Sequence, residues 1–113
     1  MSYTIYEGTA VRFDTSKTPF TSYAGTIVTP DVVTFTYSVQ GQTEVTSTWT
    51  NPTGDPTGTI VNYGTGLFYV VLQTTGLAGR WAYQWAGKPS SGLDTTKTQV
   101  VWESEIVVSP SLL

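Results

Sequence analysis

Apolar and polar residues alternate with a period of two along much of the chain, the spacing of strands that send successive side chains to opposite faces. Residues 32–39 (VVTFTYSV) are the cleanest case. Val33, Phe35, Tyr37 and Val39 fall on one face, and Val32, Thr34, Thr36 and Ser38 on the other. This predicts a strand with a core face and a hydroxyl face turned to water. Gln40-Gly41 predicts a tight hairpin turn. Residues 42–49 then return as its partner, with Val45 and Trp49 inward and Glu44, Thr46 and Thr48 outward. Residues 7–14 alternate in the same way, Ala10 and Arg12 against Val11 and Phe13. The closing strand, residues 97–108, sets Val100, Trp102, Ile106 and Val108 against Glu103 and Glu105.

The most apolar stretch is residues 64–87, GTGLFYVVLQTTGLAGRWAYQWAG. Its first run, residues 67–72, is apolar on both faces and predicts a central strand with little exposed surface. Its second run puts Trp81, Tyr83 and Trp85 on one face. The polar, Gly-bearing connection between the runs predicts a β-hairpin. Around it lie a loop at residues 15–21, a short extended piece at 25–28, a dense Pro/Gly loop at 50–59 (TNPTGDPTGT), a brief strand at 60–63 and a second loop at 87–96. No segment has helical periodicity. About seven short strands in a domain of this size predict an all-β, antiparallel two-sheet sandwich, with a small closed barrel as the alternative.

Composition narrows the chemistry. The 113 residues make one domain, long enough for a core without staples. The chain has neither Cys nor His, which removes disulfides, thiolate metal sites and the commonest general base. Net charge is −3 and only 12% of residues are charged, so no basic patch is expected to meet nucleic acid. Arg12, Lys17, Arg80, Lys88 and Lys97 are scattered. The start carries no basic and apolar signal segment, and no apolar run reaches membrane-spanning length. Neither a membrane nor a small-molecule substrate is expected as a partner.

Glu103 and Glu105 share a strand face, as a paired acid/base site requires, but charges on the polar face of a strand are its ordinary solvated surface. Asp55 and Asp94 sit in loops without the spacing of a calcium loop, and turn initiation is the simpler role. The Ser and Thr hydroxyls have no histidine to activate them. The glycines of GTGLF and GLAG lack the strand–loop–helix setting of a phosphate cradle. Neither a catalytic residue, a cofactor nor a metal site is therefore expected. The four tryptophans, Trp49, Trp81, Trp85 and Trp102, fall on core faces, with Trp85 nearest a strand end and thus the candidate for an exposed aromatic.

The order of these pieces resembles a known family. Pro30-Asp31-Val32-Val33 opens an alternating strand and a Trp-ended strand follows. Then come Gly64-Thr65-Gly66-Leu67-Phe68-Tyr69, Gly79-Arg80-Trp81-Ala82-Tyr83-Gln84-Trp85 and an acidic closing strand. This is similar to the small immunoglobulin-like β-sandwich structural proteins of tailed bacteriophages and prophages, over roughly residues 8–110. The resemblance implies a virion protein, made in the host cytoplasm, with no active site. It would act by packing in many symmetric copies on capsid, neck or tail proteins, as capsid decoration, head–tail connector or tail component. The organisation expected is an N-terminal arm (1–7), the sandwich (8–109) and a short C-terminal tail (110–113). Candidate interface residues are Tyr3, Ile5 and Tyr6 in the arm, Asn51, Pro52, Asp55 and Pro56 in the Pro/Gly loop, and Leu112 and Leu113 in the tail. The competing expectation is a carbohydrate- or cell-surface-binding module that stacks glycans on an exposed Trp85 or Trp49.

Overall fold

The computed structural model describes residues 4–92, 94 and 100–111 and is all-β, with no helix among the described residues. Eight strands follow in chain order: β1 (Ile5–Tyr6), β2 (Ala10–Asp14), β3 (Val32–Val39), β4 (Val45–Thr50), β5 (Val61–Gly64), β6 (Leu67–Gln73), β7 (Gly79–Lys88) and β8 (Val100–Ser109). They form a five-stranded sheet, β1-β8-β7-β3-β4, and a three-stranded sheet, β2-β6-β5. No strand pair joins the two among the described residues, so the barrel is excluded. All pairings are antiparallel except β1 with β8.

The alternation maps onto the sheets as expected for β3, where Val33, Phe35 and Val39 are buried and Tyr37 packs against the core. Gln40-Gly41 makes the turn into β4, Gln42 N–H donating to the Val39 carbonyl (2.8 Å). Three expectations are corrected. The runs at residues 67–72 and 81–85 are not a hairpin: β6 lies in the small sheet and β7 in the large one, so the connection crosses the sandwich. Nor is β6 covered on both faces. Phe68 and Val70 are fully buried, but Val71 on the opposite face is 51% exposed, because no third layer covers the small sheet. Val45 is also exposed: β4 is an edge, and the small sheet covers Trp49 at its other end but not Val45.

The core is a ring cluster shared by both sheets. Phe13 of β2 touches Phe35 (5.3 Å between centroids) and Tyr83 (4.8 Å) across the gap. Phe68 of β6 meets Trp49 edge-on at 4.9 Å, and Trp85 packs on Phe35 at 4.7 Å. The Trp81 indole N–H donates to the Leu77 carbonyl at 2.8 Å, which ties the start of β7 to the crossover before it. The buried hydroxyls are satisfied: Thr15 Oγ1 donates to the Gly66 carbonyl and accepts from Phe68 N–H, and Thr74 Oγ1 donates to the Thr9 carbonyl.

Candidate functional site

Four connections gather at one end of the sandwich. Phe20 N–H donates to the Gly66 carbonyl (3.3 Å), which ties the 15–31 connection to the 65–66 turn. Asp31 ties it to two more: its carbonyl accepts from Asn51 N–H (2.9 Å) and its Oδ2 from Ser90 N–H (3.0 Å). A small hairpin projects from the first connection, closed by the Thr21–Ile27 bridge and by Ser22 N–H donating to the Thr26 carbonyl. Its tip carries Tyr23, 90% exposed, which the sequence pattern did not single out because no alternation runs through residues 22–25.

The Pro/Gly loop is ordered by its own side chains. Thr50 and Gly54 exchange backbone bonds of 3.2 and 2.6 Å around exposed Asn51 and Pro52. Asp55 Oδ1 accepts from Thr57 N–H (2.9 Å) and its hydroxyl (2.7 Å), while Oδ2 accepts from the N–H of buried Ile60 (3.0 Å). Burial pushes the Asp55 carboxyl up, but these donors outweigh it and hold its pKa below the ordinary value. Asp55 thus spends its oxygens on its own loop, while Asn51, Pro52 and Pro56 face solvent.

The expected arm is partly a strand. Ile5 and Tyr6 pair in parallel with Val108 and Ser109, and half-buried Ile5 packs against the core, so these two residues are already committed within the chain. Tyr3, Leu112 and Leu113 lie outside the described residues. Glu7 clasps the two ends together. Its N–H donates to the Ser109 carbonyl, Oε1 accepts from Ser111 N–H (2.9 Å) and Oε2 from Gly76 N–H (3.2 Å).

The tryptophan platform is corrected. Trp85 and Trp81 are fully buried and Trp49 is nearly so. Strand β7 runs on past Trp85 to Lys88, which keeps Trp85 in mid-strand beneath Phe35 rather than at a frayed end. The paired carboxylates face solvent on the outer side of the large sheet. Glu103 Oε1 accepts from Gln84 Nε2 at 3.0 Å, and Glu105 lies 3.8 Å from Arg80 in an exposed ion pair. They border a shallow groove of about 490 Å³ that also includes Thr36, Ser38, Glu44 and Ala82. No group of three acidic side chains converges as a metal site among the described residues.

One cluster escaped the sequence reading. On the outer face of the small sheet the Arg12 guanidinium lies 3.9 Å above the Tyr69 ring centre and pairs with Asp14 at 2.8 Å. Tyr63 donates its hydroxyl to Asp14 Oδ1. Burial raises the Asp14 pKa, but the bonds from Tyr63, Ser16 N–H and Arg12 outweigh it and hold the pKa low. The bond to Asp14 pushes the Tyr63 phenol up. The signal was present: Arg12 and Asp14 share a parity on β2, and Phe13↔Val70 pairing sets them beside Val71 and Tyr69. Such exposed pairs hold a face together modestly. No family model, no curated protein and no solved structure matches the chain.

Proposed function

We propose that the chain is an immunoglobulin-like sandwich acting as a non-enzymatic structural protein of a tailed-bacteriophage virion, held on capsid, neck or tail by protein–protein packing. The observation that carries the fold reading is the arrangement at the centre of the core. Immunoglobulin domains set strands C, F and G in one sheet, with C′ added in some, and B, E and D in the other. Taken in chain order, β2 to β8 fall where B, C, C′, D, E, F and G would fall. Immunoglobulin domains also join B to F by a disulfide, pack a C-strand aromatic on it, and place a corner Tyr two residues before the F-strand Cys. Here Phe13 and Tyr83 touch at the B–F position, and Phe35 packs on both at 5.3 and 6.0 Å. Trp81, two residues before Tyr83, makes the corner bond to Leu77. Ring packing thus takes the place of the covalent link in a chain without cysteine.

The virion role rests on the Gly-Thr-Gly-Leu-Phe-Tyr and Gly-Arg-Trp-Ala-Tyr-Gln-Trp motifs and their resemblance to phage structural sandwiches. The glycan-stacking alternative loses the tryptophans it required. Co-sedimentation of the purified chain with assembled capsids and with tails tests the role. Saturable binding at a copy number matching a particle symmetry is expected. Absence of binding to either particle overturns it.

A further inference from the structure

The two sheets have four edges, and three are blunted in the ways that protect sheets from pairing with other chains. β1 is two residues long and leaves most of β8 open, but β8 carries Glu103 and Glu105; β2 carries Arg12 and Asp14; and β5 has a register shift between Asn62 and Gly64. β4 has none of these features. Its sequence, VTSTWT, holds no charge, no Pro and no Gly, and it pairs with β3 in unbroken register. The direction of its free backbone groups follows from its end. Thr50 exchanges bonds with Gly54 on the side away from β3, so the Thr50 N–H and C=O point outward. Groups on an antiparallel strand alternate in direction, so those of Thr46 and Thr48 point outward too. The Thr36 and Thr46 hydroxyls, 3.0 Å apart, fit the close approach of a pair that exchanges no backbone bonds.

We propose that this edge pairs with the β4 edge of a second copy of the chain, antiparallel about a two-fold axis, to make a continuous ten-stranded sheet. The register is determined. Within β4 only Thr46 and Thr48 offer open groups, because Gly54 occupies Thr50. Four bonds form only when Thr46 of each copy faces Thr48 of the other; other same-face registers give two. This register sets Ser47 opposite Ser47 and gives exposed Val45 the edge of the partner's Trp49 to pack on. A strand paired with itself about a two-fold is self-complementary by construction, and no like charges meet within the five residues from Val45 to Trp49. The contact is small, so pairing is weak in isolation, with a Kd on the order of 1 mM. It rests on the multi-copy packing reading only for the local concentration that a weak contact needs.

Sedimentation velocity and concentration-dependent amide shifts test the pairing. The wild-type mass rises toward a dimer as concentration approaches the millimolar range, and the Thr46 and Thr48 amides move most. T46K/T48K, which faces Lys with Lys at both sites, stays monomeric. T46E/T48K, which faces opposite charges at both sites, dimerises about three- to fivefold more tightly than wild type. Both side chains are exposed, and unchanged unfolding curves verify that the variants fold. A wild-type chain that is monomeric throughout, or two variants that associate alike, overturns the proposal. A monomer that binds particles rejects the edge pairing and leaves the virion role standing; a β4-paired dimer that binds no particle does the reverse.

Discussion

Replacing Gly66 by Ala separates backbone strain from steric clash at the crowded end of the sandwich. Gly66 has φ of +69°, and an added Cβ meets the Phe20 carbonyl oxygen and Ile27 Cγ2 at 2.9 Å and the Val28 carbonyl oxygen at 3.0 Å. Two of the three obstacles are backbone atoms that cannot rotate away. The left-handed conformation costs Ala about 1 kcal/mol, overpacking costs about 1–3 kcal/mol, and the stiffer unfolded chain returns roughly 0.5–1 kcal/mol. The net expectation is a loss of about 1–3.5 kcal/mol. Two controls bracket it. Gly41→Ala has the same kind of strain (φ +82°) with nothing within 4 Å, and loses at most about 1 kcal/mol. Gly87→Ala has a clash with Pro30 Cγ at 2.8 Å and the Phe20 ring at 2.9 Å but no positive φ, and with the same unfolded-chain return loses up to about 2.5 kcal/mol. Urea unfolding at constant m reads all three as midpoint shifts. If Gly66→Ala costs no more than Gly41→Ala, the 15–31 connection is not packed on the 65–66 turn and the reasoning fails.

Trp81→Phe keeps a ring in the core but removes the donor to the Leu77 carbonyl, so stability falls by about 1–3 kcal/mol in the same assay. Asp14 and Asp55 both have folded pKa values below their unfolded ones. Their contribution is therefore present above the unfolded pKa near 4 and is lost as pH falls through the lower folded value. Acid titrations of stability for D14N and D55N have a shallower limb below about pH 4 than wild type. Deleting residues 1–6 removes β1 and the packing of Ile5, which lowers stability by roughly 1–2 kcal/mol. Denaturation of the truncated chain measures that loss separately from any loss of particle binding.

The period-two pattern reported which face each side chain takes, because facing is local: it needs only the pleat. Thus β3 matches its predicted span, Val32–Val39, and Trp81, Tyr83 and Trp85 share the inner face. It did not report which sheet a strand joins, because partner choice is decided by packing far along the chain. Residues 67–85 have the composition of a hairpin, yet Phe68 and Val70 face the large sheet from across the core while Trp81 and Trp85 belong to it. The connection of five residues between Gln73 and Gly79 is long enough to cross, and the Trp81–Leu77 bond fixes it in that path. The same limit explains the surface. Tyr69 and Val71 looked like core because apolar side chains on alternate positions do not tell a covered face from an uncovered one. What covers Tyr69 is the Arg12 guanidinium held by Asp14, whose place beside it depends on β2–β6 register. Val45 poses the opposite case. It sits on a face that is core for its neighbours Tyr37 and Trp49, yet it is exposed, while Trp49 at the other end of β4 is covered by Phe68 of the small sheet. Cover from the small sheet thus reaches one end of β4 and not the other, and the apolar side chain left over at the open end lies along the edge that is offered to a second chain.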